Sequence, residues 1–143
     1  MDRGKSMRTF QPSRVLQDSL GHVDFVTNNR FRMSSENTQA LEEIALLAEK
    51  HDLQIYLTHA PMFSGLYMNS ELQRYLRELN ESLANFANKY ARIHIVDHTP
   101  ETFNETEMEN VDHLVFEAAE RFTEIIADKI LKIEQQDADL RGL

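Results

Sequence analysis

Leu53-Gln54-Ile55-Tyr56-Leu57-Thr58 and Arg92-Ile93-His94-Ile95-Val96-Asp97 are two short runs rich in β-branched and aromatic residues, each closed by a polar one. Between them Leu72, Tyr75, Leu76, Leu79, Leu83, Phe86 and Tyr90 recur at three- and four-residue steps. That spacing draws the single apolar stripe of an amphipathic helix. Asn69 or Ser70 opens this helix, and Ser70 and Gln73 stand at capping-box spacing. Strand, helix, strand is the βαβ unit, with parallel strands and a right-handed crossover.

Outward from this unit the pattern continues. A helix begins near residues 34–38 and uses Leu41, Ile44, Leu47 and Ala48. Another carries Val115, Ala118, Ala119, Phe122, Ile125, Ile126, Ile130 and Ile133 on one stripe. A weaker strand pattern covers 22–26. The expected fold is α/β, a three-layer sandwich with a short parallel sheet and flanking helices. Residues 1–21 read as a linker-like segment, 22–134 as one domain, and 135–143 as a tail. Two or three strands are few for so many one-sided helices, since doubly wound sheets have about five. The expectation is therefore either a homo-oligomer or a partner N-terminal half.

Composition narrows the function classes. The 143 residues are 41% hydrophobic and 27% charged, a globular rather than a disordered balance. Fifteen basic against twenty-four acidic residues give a net charge of −9, which argues against a nucleic-acid partner. No apolar run reaches the roughly 18–20 residues of a transmembrane segment. The N-terminal stretch has no apolar core of a signal peptide, so a soluble chain is expected and its compartment is left open. The absence of cysteine excludes disulfides, thiolate metal sites and a cysteine nucleophile. No cofactor motif is present.

The residues placed for chemistry lie beyond the strand ends, where open α/β sheets bind their ligands. In Asn110-Val111-Asp112-His113-Leu114 an imidazole sits where a long loop turns into the last helix. Such a ring serves as general base for a hydroxyl nucleophile when an amide or carboxylate neighbour fixes its tautomer. The plainer alternative is an exposed histidine with Asp112 as helix cap. His59, Asp97, His98, Asp112 and His113 leave the same sheet edge and have the donor types of a zinc-like ion, without a recognised ligand spacing. Metal ligation thus stands as an alternative. The apolar run 62–68 is either a lid beside the site or a plug for the sheet end. The acidic run 101–109 reads as a solvated loop.

The run 37–130 resembles the C-terminal half of the SGNH/GDSL hydrolase superfamily of serine esterases and O-acyltransferases. It is most similar to the bacterial cell-envelope branch that modifies polysaccharides. The resemblance rests on Leu46-Leu47-Ala48-Glu49-Lys50-His51, on Ile55-Tyr56-Leu57 leading into Ala60-Pro61, and on the helix over 72–90. Ile93-His94-Ile95-Val96-Asp97 follows, then Asp112-His113-Leu114 before Ala118-Ala119-Glu120-Arg121-Phe122-Thr123. It implies an incomplete flavodoxin-like SGNH domain acting on an ester or an acetylated carbohydrate, with His113 as catalytic base. The family's Asp-x-x-His block places Asn110 where an aspartate normally stands, with Asp112 adjacent. Gln17-Asp18-Ser19-Leu20-Gly21 is similar to the family's Gly-Asp-Ser-Leu with its first glycine replaced, which makes Ser19 the nucleophile candidate. A polar turn punctuated by Gly21 is the alternative. With no other serine in context, the expectation is a truncated or degenerate esterase-like domain. The further alternatives are a non-catalytic interaction domain that self-associates and a His/Asp metal-dependent hydrolase.

Overall fold

A computed structural model describes residues 21, 23–25, 28–110 and 113–142. Helix α1 (Ser35–His51) starts at Ser34, whose side chain accepts the Asn37 N–H. It ends at Asp52, which is left-handed (φ 57°) and returns its N–H to the Ala48 and Glu49 carbonyls. Strand β1 (Ile55–Leu57) follows, then β2 (Met62–Phe63) and the short helix α2 (Ser64–Tyr67). Helix α3 (Ser70–Ala87) leads to β3 (Ile93–Ile95) and β4 (Thr102–Phe103). A 3₁₀ turn (Glu105–Glu107) precedes the last helix, α4 (Phe116–Arg141). The described residues are thus mixed α/β with two short parallel sheets.

β1 pairs with β3 in parallel, with Ile55 opposite Ile93 and Leu57 opposite Ile95. This is the strand relation that the βαβ pattern demands. One face of the pair packs Ile93 with Ala45 of α1 and Phe86 of α3, with Leu41, Ile55, Leu57 and Tyr90 around them. Alternation turns Tyr56 and His94 to the other face, where their rings stack at 5.2 Å. There α4 meets the sheet, as Tyr56 donates its hydroxyl to Glu134 Oε1 at 3.1 Å. Burial and the Glu134 carboxylate both push the Tyr56 phenol up from its ordinary value, burial more. On the same face His94 contacts Gln54 Oε1 at 2.8 Å and lies 3.7 Å from Asp137 of α4.

Four expectations need correction. The helix over 70–87 is capped by Asn69, which accepts the Glu71 and Leu72 N–H groups, and not by a Ser70–Gln73 box. Gln73 instead donates to the Tyr67 carbonyl. The segment 22–26 is not a strand: Gly21, residues 23–25 and Asn28 are helical, while His22 and Val26 lie outside the described residues. Its alternation misleads because Val23 packs on Leu66, Leu72 and Leu76, and Phe25 meets Tyr75 edge-on. Asn28 and Asn29 close turns by donating four residues back to the Asp24 and Phe25 carbonyls. The last helix runs past Glu134 to Arg141, stopped by Gly142 at φ 69°.

The fourth correction concerns the two segments expected to be irregular. They pair with each other as a second parallel sheet, Met62 beside Thr102 and Phe63 beside Phe103. Phe63 then packs against two clusters, one around Leu66 and Leu72, the other around Phe103 and Met108. Gly65 is required beneath it, since a Cβ there would lie 2.5 Å from the Phe63 ring. The 62–68 run is therefore largely a plug: Leu66 is buried, and Met68 is its strongly exposed member. Among the described residues no helix is long and apolar enough to cross a membrane.

Candidate functional site

The loop that carries His113 is built from its base upward. Asn104 accepts the Thr106 N–H at 2.9 Å, and Glu107 reaches back to the Asn104 N–H at 3.0 Å. That reciprocal cap fixes the 3₁₀ turn. Glu107 also pairs with Arg121 of α4, whose guanidinium lies over the Phe103 ring. The Asn104 hydrogen bond first, and Arg121 second, hold the Glu107 carboxyl below its ordinary value. Met108 then drops to 0% exposure among Phe103, Ala118, Leu114 and Phe122. The acidic run is anchored by Phe103 and Met108 rather than solvated throughout.

Met108 and Leu114 form an antiparallel bridge. The Glu109 N–H donates to the His113 carbonyl at 2.8 Å, and the Val115 N–H to the Glu107 carbonyl at 2.9 Å. Beside this bridge Asn110 Oδ1 lies 2.8 Å from His113 Nδ1. With the amide oxygen accepting, the ring proton sits on Nδ1 and the lone pair on Nε2. Asn110 and His113 are thus brought together at the predicted spacing. Asp112 and Ser19 lie outside the described residues. α4 begins at Val115 without a side-chain cap.

A second polar constellation joins the carboxyl ends of β1 and β3. Asp97, its side chain only 6% exposed, accepts the Thr58 hydroxyl at 3.0 Å and the His59 N–H at 3.2 Å. Lys129 of α4 reaches Asp97 at 3.4 Å and Glu101 at 2.6 Å. The Glu101 hydrogen bond, aided by the charge of Asp97, raises the Lys129 ammonium above its ordinary value against the opposing effect of burial. His59 Nε2 lies 2.8 Å from Asn80 Oδ1, and Asn80 Nδ2 donates to the His98 carbonyl at 2.6 Å. Asn80 and Lys129 escape sequence reading because each sits inside an ordinary amphipathic helix. Only the three-dimensional crossing puts them at the strand ends.

His59, Asp97, His98 and His113 do not gather around a common point: among the described residues no three His, Asp or Glu side chains are grouped to hold a metal ion. A cleft of about 330 Å³ opens along the outer side of β3, lined by Ala84, Ala87, His94, Ile95, His98 and Ile133 among others. None of Asn80, His59, Asn110 and His113 lines it, although His98, which accepts from Asn80, does. Comparison of the chain with known protein families, with curated proteins and with solved structures finds no match.

Proposed function

We propose that the chain is a degenerate SGNH-type hydrolase domain, with a parent activity of ester hydrolysis or O-acyl transfer on a carbohydrate. The observation that carries this reading is the 2.8 Å contact from Asn110 to His113 at the spacing of the Asp-x-x-His block. The arrangement of α1 and α3 against one face of the parallel pair, and α4 against the other, supports the later part of a flavodoxin-like three-layer sandwich. In this reading His113 Nε2 accepts the proton of an attacking hydroxyl. Asn110 holds the required tautomer, but a neutral amide does not stabilise the imidazolium that forms. The amide in place of a carboxylate and the lack of a serine in the family's context make the domain degenerate, and the nucleophile candidate, Ser19, lies outside the described residues.

The test is release of p-nitrophenol from p-nitrophenyl acetate, which an oriented imidazole promotes even without a serine. The wild-type chain is expected to be slow. Asn110→Asp is expected to raise the rate about tenfold or more, because a carboxylate stabilises the charged ring. His113→Ala is expected to fall to the level of the other histidines. Equal rates for the three proteins would overturn the reading.

A second reading has its own observation. β1 pairs only with β3 among the described residues, and Ile44, Leu47 and Leu53 around it are half exposed. A non-catalytic domain that self-associates through this side would sediment as a dimer at micromolar concentration. A monomer there dismisses that alternative.

A further inference from the structure

We infer that His59 is a second ligand-facing imidazole, its proton locked on Nε2 and its Nδ1 accepting a hydrogen bond from a hydroxyl of a bound carbohydrate. The locked tautomer follows from the hydrogen bonds alone. The His98 carbonyl can only accept, so the Asn80 atom 2.6 Å from it is the amide nitrogen. That fixes the amide's orientation and leaves its oxygen facing His59 at 2.8 Å. An oxygen without a proton demands a donor, so His59 Nε2 carries the hydrogen. In the neutral ring Nδ1 then holds the lone pair, and no other hydrogen bond of this ring forms among the described residues.

The main chain of His59 is fixed as well, because its N–H is held by the buried Asp97. Ring and backbone are both restrained while the residue, at the carboxyl end of β1, is only partly buried. Such a group is prepared to bind without paying for its own ordering. The ligand must bring a donor, since Nδ1 is an acceptor. An anion is disfavoured, since Asp97 beside His59 shares the single ammonium of Lys129 with Glu101, which leaves one negative charge in excess on a chain of net charge −9. A neutral polyol meets both conditions. The carbohydrate class rests on the proposed function; the tautomer does not.

Two measurements test this. Long-range ¹H–¹⁵N spectra of the imidazoles at pH 8 should show His59 as the Nε2–H form, reverting to a mixture in Asn80→Ala. Titration with acetylated xylo-oligosaccharide should shift the His59 Nδ1 resonance. His59→Gln keeps a group at the Nε2 position without an acceptor at Nδ1, and should weaken binding about tenfold, the worth of one hydrogen bond. His59→Asn places an amide at the Nδ1 position and should retain most of the affinity. A mixed tautomer in the wild type overturns the inference. So do unchanged affinity in His59→Gln and failure of the wild type to bind the oligosaccharide. In the ester assay His59 contributes equally to the wild type, Asn110→Asp and His113→Ala, so the proposed function stands or falls separately.

Discussion

Two asparagine–histidine pairs involve loops beyond the strands, and they are built in opposite ways. Asn110 and His113 are three residues apart, joined on Nδ1, beside the Met108–Leu114 bridge. Asn80 and His59 are separated by 21 residues, joined on Nε2, with the amide anchored in turn to the His98 carbonyl. The first pair is a local device that the chain makes wherever the loop is held at its base. The second exists only because α3 crosses the end of β1. One therefore depends on a hydrophobic anchor, Met108, and the other on an ionic one, Asp97.

The largest expected effect removes the first anchor. Met108→Ala empties a fully enclosed position and should cost about 2–5 kcal/mol by urea denaturation. It should also disperse the His113 imidazole resonances while leaving those of His59 unchanged. Loss of both signals together would mean that the two pairs form one unit. Asp97→Ala is the reciprocal experiment. It deprives Thr58, the His59 N–H and Lys129 of an acceptor, at a cost of about 2–3 kcal/mol given that Lys129 is partly solvated. Here the His59 tautomer should become mixed and the Asn110–His113 pair should persist.

The smallest effect is set by pH. The folded Glu107 carboxyl titrates below its ordinary value of 4.5, so its contribution is complete above that pH and lost as pH falls through the lowered folded value. Amide exchange in 104–109 should accelerate below about pH 4.5, by an amount worth no more than about 1 kcal/mol. Glu107→Gln should show the faster exchange at neutral pH and no further acid step.

The sequence discloses those parts of the molecule whose periodicity extends over several turns. The stripe from Leu72 to Phe86, the run Ile93-His94-Ile95 and their parallel partner are all readable because burial repeats along them. The β2–β4 sheet is not readable, since two-residue strands are shorter than any alternation. Residues 22–26 mislead for a related reason: two apolar side chains two apart fit a strand or the flank of a helix, and only the Tyr75 ring and the Leu66 cluster decide. Of the candidate site, His113 with Asn110 is visible as a local spacing. Asn80 and Lys129 are not, because polar residues on a helix look alike until a neighbouring strand end gives them a use.

The bonds from His59 to Asp97 span 38 residues, and β1 touches β3 across the same interval. Closing so long a stretch costs entropy before any pairing is gained, whereas α1 and α3 nucleate from neighbours a turn away. Helices first, sheet afterwards, is the folding order this layout imposes, and the polar clasp at the strand tips is among the last things to form.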